Sequence, residues 1–281
     1  MTLQSQLSKA IRPRLIVTAD DFGLHEAVNE AVERGYREGV LRAASLMIAA
    51  PAVGDAIARA RRLPDLAVGL HLVLTDGQAV LPPALIPDLV DAHGAFHSNM
   101  VRNGFRFFFL PRVRRQLAAE IRAQFEAFFA TGLRLDHVNA HKHFHLHPTI
   151  LSLMLSIGRE FGLCAIRLPA EPGMQPWLRP WVALMRWRMD GAGIAYNDHV
   201  FGIRHSGGMD EATLLDILRD LPDGLSELYL HPAAHGGLVA SMADYRHADE
   251  LAALLSPHVR DMIAERYLLC RGFSDPAAAC T

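Results

Sequence analysis

Cysteine is scarce in this chain of 281 residues: there are three, at positions 164, 270 and 280, odd in number and without a C-x-x-C pair. That excludes a disulfide framework and a thiolate zinc site, and it points to a reducing compartment. An excess of charge of either sign is also missing, with 28 Lys+Arg against 30 Asp+Glu. The balance leaves no electrostatic footprint for nucleic acid, so no nucleic-acid partner is expected. No apolar run approaches the ~18 residues a spanning helix needs, and the opening "MTLQSQLSKAIRPR" has no apolar stretch of the kind a secretory leader carries. The expectation is a cytoplasmic protein, at most peripheral at the inner membrane surface. Repeats and low-complexity segments are missing too, and no Gly-rich dinucleotide fingerprint follows the first apolar run.

What is present is material for a large core, with 51% of residues hydrophobic. Short aliphatic runs predict strands at 14–19, 44–49, 66–74, 133–139, 164–168, 198–203, 226–230 and 266–270. Between them lie helical patterns at 24–38, 53–62 and 114–132, from 148 onward, and at 210–220 and 245–264, with a Pro- and Gly-containing loop over 76–112. In 114–132 the residues Leu117, Ile121, Phe125 and Phe128 fall on one face, and Gly132 is placed to stop the helix. Seven or eight parallel strands alternating with helices favour an α/β fold of the TIM-barrel-like (β/α) kind over a doubly wound sheet. We read one barrel domain over 1–281, with its core at 14–270 and peripheral tails at 1–13 and 271–281.

The polar residues collect at one place in this pattern. Asp20 and Asp21 follow the first strand, and His71 lies near the end of the third. "NAHKHFHLHP" (139–148) follows the fourth, Arg167 closes another, and His231 ends "ELYLH". In a β/α barrel the C-terminal strand ends meet at one mouth. Each residue alone has a plainer account. One Asp would cap the next helix, His71 would be a satisfied core histidine, and the four alternating histidines at 141, 143, 145 and 147 would mark an extended surface loop. Arg167 would be a structural ion-pair partner, and His231-Pro232 a turn. Asn139 and Lys142 are too polar for ordinary core. Together these residues suit a cation that neutralises the aspartates and that His71 and one later histidine also bind. A mixed His/carboxylate set favours zinc, with magnesium or manganese admitted by carboxylate oxygen. Two histidines and one carboxylate leave positions open for water and substrate, so the site reads as catalytic, with the second aspartate free as a general base.

At this point "TADDFGL" (18–24), "VGLHLVLTDG" (68–77), "HVNAHKHFHLHP" (137–148), "IRLP" (166–169) and "ELYLHPA" (227–233) resemble, in order, the motifs of the YdjC-like carbohydrate deacetylase family, which includes chito-oligosaccharide deacetylases. The resemblance implies a deformed barrel, one divalent metal and hydrolysis of an N-acetyl group from an amino sugar. It further implies Asp21, His71 and His141 as metal ligands, Asp20 as base, His231 as acid or charge stabiliser, and Arg167 near the site. His143, His145 and Asn139 would stand around the ligands or touch substrate. Asn139 occupies a place where the family usually carries Asp, which bears on the tuning of His141.

Among subgroups the chain is most similar to the hopanoid-biosynthesis-associated branch, which implies an N-acetylglucosaminyl hopanoid as substrate. Trp177, Trp181 and Trp187 lie in "MQPWLRPWVALMRWRM", where Trp177, Trp181, Leu184 and Met185 share helical spacing among arginines. "FRFFFLPRVRR" (105–115) is a second aromatic cluster, read as partly buried. A membrane interface or a greasy aglycone suits the first segment; a helix packed on the barrel or across a homo-oligomer interface is the competing account. Against the deacetylase stand two rivals. A two-metal phosphoester hydrolase would need a bridging carboxylate, and no acidic residue beyond 20–21 stands out in the matched motifs. A non-catalytic sugar or lipid binder would keep the metal as structure.

Overall fold

The first strand, β1 (Arg14–Phe22), draws on the apolar run after the N-terminal segment, and every residue in it beyond Arg14 is buried. The computed structural model describes residues 12–278. After β1 come α1 (Glu26–Glu38), β2 (Ala43–Leu46), α2 (Val53–Arg61), β3 (Ala67–Leu72), α3 (Met100–Phe109), α4 (Pro111–Ala130), β4 (Leu135–Ala140) and α5 (Pro148–Gly158). The second half adds α6 (Arg179–Ala192), β5 (His199–Phe201), α7 (Glu211–Arg219), β6 (Leu225–Leu230), α8 (His247–Leu255), α9 (Pro257–Arg266) and β7 (Leu268–Leu269). The strands run in the order β4-β3-β2-β1-β6-β5, with β7 against the start of β1. Every pairing is parallel, which gives the curled barrel sheet that the alternation predicts.

Residues 164–168 do not form the expected regular strand; they make isolated bridges only. Their backbone nevertheless spans the space between β4 and β5. Val138 N–H donates to Ala165 O at 2.9 Å and Arg167 N–H to Val138 O at 3.1 Å on one side. On the other, Ile166 N–H donates to Ala195 O at 3.0 Å and Val200 N–H to Ala170 O at 3.1 Å. Between these two, the Asn197 side chain replaces a ladder rung, bonding both the N–H and the C=O of Leu168 at 2.8 Å. A side-chain amide doing a backbone's work accounts for the lost regularity, and it leaves Arg167 anchored on both sides.

Alternation along the strands sorts residues into two environments. Leu15, Val17 and Ala19 join the large core under the helices, whereas Ile16 joins Ala43, Ala165, Leu225, Cys270 and Phe273 in a small apolar cluster at the base of the barrel. Further toward the mouth the interior turns polar: Thr18, Ser45, His137 and Glu227 are all buried, then Asp20, His71 and Asn139. The barrel interior is thus graded from greasy base to charged mouth.

Three expectations need correction. The 76–112 loop contains α3, capped by Asn99 Oδ1 accepting from Arg102 N–H. Its Val101, Phe105, Phe108 and Phe109 face outward, so no buried apolar stripe advertised a helix. The helical stretch 245–264 is two helices, because Pro257 lacks an N–H and disfavours helical backbone before it; Ser256 caps the second. The last strand has only two residues, not five.

Candidate metal centre

Asp20 and Asp21 are neighbours, and in a regular strand they would face opposite ways. The β1–β2 register slips between Ala19 and Phe22, and Asp21 adopts a left-handed backbone with φ 60°. This bulge brings both carboxylates into the barrel mouth, at a conformational cost of roughly 1–3 kcal/mol for a non-glycine residue. Both residues are 2% exposed.

Asp21 meets the two histidines that the motifs single out. Its Oδ1 lies 3.2 Å from His71 Nε2 and 3.2 Å from His141 Nδ1, and those two nitrogens are 3.2 Å apart. Its Oδ2 is buried and has no partner. His71 Nδ1 is 2.7 Å from Asn139 Oδ1, an atom that only accepts, so that nitrogen carries the proton and Nε2 of the neutral ring presents a lone pair. With His141 Nδ1 also unprotonated, three electron-pair donors face one another within hydrogen-bond distance, an arrangement that suits a positive charge between them. A tetrahedral ion with bonds of ~2.0–2.1 Å sets its ligand atoms ~3.3 Å apart, so the residues present fit a divalent cation. Among the described residues this is the only His, Cys, Asp and Glu group so arranged. The electrostatics agree: burial lowers the His71 pKa, but the Asp20 and Asp21 carboxylates outweigh it and the net shift is upward.

Asp20 stands beside the triad on an arginine. Arg167 is completely buried and donates through Nη1 to Asp20 Oδ2 at 2.5 Å and through Nη2 to Oδ1 at 3.0 Å. Asn139 Nδ2 adds a bond to Oδ1 at 3.0 Å. Burial is the largest single influence on Asp20 and would raise its pKa; the charge and hydrogen bonds of Arg167, together with His71 and His231, outweigh it and hold the carboxyl far below the usual range. The arginine also bonds Glu227 twice, at 2.8 Å from Nε and 2.8 Å from Nη2, and lies 4.5 Å from the Tyr229 ring centroid. Glu227 is the first residue of "ELYLHPA", so that motif does carry an acid. It serves Arg167 and Thr18 and is not placed to bridge two metals.

The four alternating histidines do not share a face. Residues 141–146 form a tight turn with Lys142 and His143 both left-handed at φ 53°, which sends each ring to a different partner. His141 goes to Asp21, and His143 Nε2 sits 3.0 Å from the Tyr229 hydroxyl. His145 Nε2 donates to the Arg167 carbonyl at 2.9 Å, and His147 packs edge-on against Phe107. Burial lowers His143 well below the ordinary histidine range and takes His145 down to about 4, so both rings are neutral. Asn139 bonds His71, Asp20 and Ser45; His141, the ligand whose tuning its identity put in question, is not among its partners.

His231 stands across the mouth, its Nε2 3.9 Å from Asp21 Oδ2. Its backbone is clamped by Glu250, which accepts from its N–H at 2.5 Å, and by His247, whose Nδ1 donates to its carbonyl at 2.6 Å. Asp20, His71, His143, Tyr229, His231 and Tyr245 line a cleft of about 120 Å³. Sequence reasoning missed Tyr229, Tyr245, Glu227 and His247. Tyr229 and Glu227 carry a signal in hindsight, since they alternate with His231 along β6 and so share its inward face.

The YdjC-like protein family matches residues 14–265. The chain belongs to that family. Its relatives in the YdjC-like family include the carbohydrate deacetylase of Brevibacillus brevis, 30% identical over 93% of this chain and 99% of that protein. The carbohydrate deacetylase of Geobacillus stearothermophilus is 30% identical over 89% of this chain and 93% of its own. A crystal structure of a putative cellobiose-phosphate cleavage protein from Enterococcus faecalis superimposes with a TM-score of 0.74, covering 92% of this chain and 97% of the other. At 24% identity that likeness shows the fold and nothing more.

Proposed function

We propose that this YdjC-like protein is a metal-dependent carbohydrate N-deacetylase acting on an N-acetylglucosamine-type sugar. One observation carries the reading: Asp21, His71 and His141 converge on one point while Asp20 stays out of the cluster, ionised and fixed. Asp21, His71 and His141 would hold a divalent cation, zinc or magnesium, whose Lewis acidity polarises an amide carbonyl and acidifies a water. The chain's own residues do the rest. Asp20 has three of its lone-pair directions occupied by Arg167 and Asn139, which leaves one on Oδ2 to accept a proton from water. Arg167 fixes the aim of that carboxylate and keeps it charged, at some cost in basicity. His231, across the cleft and partly open to it, would protonate the departing amine. Tyr229 and Tyr245 flank His231 edge-on, with ring centroids 5.6 and 5.2 Å away, and wall the cleft with aromatic surface suited to a sugar face.

For the substrate we propose a lipid-linked sugar of the N-acetylglucosaminyl hopanoid kind, met at a membrane surface. Two helices support this. Phe105 and Phe109 on α3 are each 64% exposed, and Trp177 and Trp187 around α6 are 67% and 71% exposed. Met185, which shares the helical spacing of Trp177, Trp181 and Leu184, is buried, so the four do not form one exposed stripe; the tryptophans themselves are exposed. The two helices flank the histidine turn: Phe107 packs on His147, and Arg188 Nη1 donates to Pro148 O at 3.1 Å. α3 has no acidic residue, and the single acid of α6, Asp190, accepts from the Tyr196 hydroxyl. Aromatic and arginine side chains at one surface suit an anionic lipid interface. Among the described residues, no helix is long and apolar enough to cross a membrane.

The test is acetate release by metal-loaded protein from an N-acetylglucosaminyl lipid beside a chito-oligosaccharide, with and without chelator. Chelator-sensitive release from the lipid supports the whole reading. Release from the oligosaccharide alone supports deacetylation and rejects the lipid. Ligand binding without release from either rejects the enzyme.

A further inference from the structure

Behind the metal centre runs a chain of buried hydrogen bonds that reaches the base of the barrel. His71 Nδ1 is bonded to Asn139 Oδ1 at 2.7 Å, and Asn139 Nδ2 to Ser45 Oγ at 2.9 Å. Ser45 Oγ is 3.0 Å from His137 Nε2, and His137 Nδ1 is 2.9 Å from Asp136 Oδ2. Asp136 is itself held by the N–H groups of Phe273 and Ser274 and by the Ser274 hydroxyl. Ser45, His137 and Asn139 are fully buried. The packing makes room for this chain at two glycines. A Cβ on Gly69 would lie 2.5 Å from the His137 ring, and one on Gly272 2.7 Å from Asp136 Oδ2.

For a neutral His137 ring the direction of every bond is forced. Asp136 accepts only, so His137 carries its proton on Nδ1 and presents a lone pair at Nε2. Ser45 must give its one proton to that lone pair, which leaves its oxygen to accept from Asn139. The Asn139 amide is therefore turned with its NH₂ toward Ser45 and Asp20 and its oxygen toward His71. A flipped amide would leave Ser45 facing two acceptors with one proton and would set an oxygen against the Asp20 carboxylate. A carboxylate at 139 would need no such guidance, having two like oxygens. An amide does.

We infer that Asp136, His137 and Ser45 are positioning residues that, through Asn139, hold His71 in the tautomer whose Nε2 is free to bind a metal. This rests on the reading of Asp21, His71 and His141 as the metal ligands. The experiment compares Ser45→Ala and Ser45→Thr, each alone and on an Asn139→Asp background. Zinc affinity is read by competition with a chromophoric chelator, and the His71 tautomer in metal-free protein by ¹⁵N NMR of the ring nitrogens.

Ser45→Ala removes one of the two groups that orient the Asn139 amide and leaves Asp20 as the other; it is expected to weaken zinc binding about tenfold, the lower end for loss of a ligand's supporting partner, and to admit a detectable share of the second His71 tautomer. Ser45→Thr keeps a hydroxyl and restores both readouts. On the Asn139→Asp background Ser45→Ala has an effect of less than about threefold, because a carboxylate has no orientation to lose. Equal losses on both backgrounds would overturn the inference, since they would mean that Ser45 acts by packing alone. So would an unchanged His71 tautomer in Ser45→Ala. Wild-type protein that binds no zinc or magnesium would overturn the ligand reading instead, and the NMR comparison would still decide whether the chain orients His71.

Discussion

At the base of the barrel Asp136 accepts from His137, from two backbone N–H groups and from a hydroxyl; at the mouth Asp21 has an oxygen with no partner and a left-handed backbone. Six buried side-chain atoms among the described residues lack a partner, and five of them belong to Asp21, His143, His145, His147 and His247, around the mouth. Ser226 Oγ is the exception. The base also has the larger cavity, about 450 Å³ against about 120 Å³ at the mouth, yet no metal-ligand group. Unspent bonding capacity and strain, rather than volume, therefore mark the working end, as expected where stability is exchanged for chemistry.

The contrast is broken most directly at Asp21. Asp21→Asn keeps a residue that tolerates the left-handed conformation while removing the charge. Zinc binding and acetate release are expected to fall by roughly a thousandfold or more, with thermal stability unchanged or raised. A drop in melting temperature as large as that from a base mutation would erase the distinction between the ends. Asp20→Asn should lower turnover by ~10²–10⁴-fold while zinc affinity stays near wild type, which calorimetry and acetate assays separate. Near-normal release would remove Asp20 from the proton transfer.

At the base the expected cost is in folding. Asp136→Ala leaves the N–H groups of Phe273 and Ser274 and the His137 ring without their acceptor, at about 3 kcal/mol or more in urea denaturation. The smallest effect is a pH dependence set at the mouth. Burial holds the His145 pKa at about 4 against 6.5 in the unfolded chain, so below 6.5 the unfolded chain takes a proton that the folded site refuses. Stability should therefore decline as pH falls from 7 to 5, by about 2 kcal/mol from this residue. His145→Gln, which keeps a donor for the Arg167 carbonyl, should flatten that decline; an unchanged slope would place its origin elsewhere.

Much of this was legible because strand ends in a β/α barrel are computable from pattern alone. Asp20, Asp21, His71, His141, Arg167 and His231 were all recognisable as polar residues at the ends of apolar runs, and family motifs told the histidines apart. Helix α3 was not legible, since its aromatics face outward and carry no burial period. The irregular 165–170 segment was also hidden, since a side-chain amide from Asn197 supplies what a strand would show.

By itself, the sequence determined the alternation of strands and helices through most of the chain and the inward or outward sense of residues in the regular parts of the strands, because hydrophobic period and chain direction are local properties. Only the tertiary structure decided that adjacent aspartates face the same cleft with separate partners, and that Arg167 serves Asp20 and Glu227 together. It also decided that Asn139 supports His71 rather than His141. Those outcomes depend on a one-residue slip in register and on which lone pair meets which proton across the barrel, and neither is written in any single segment.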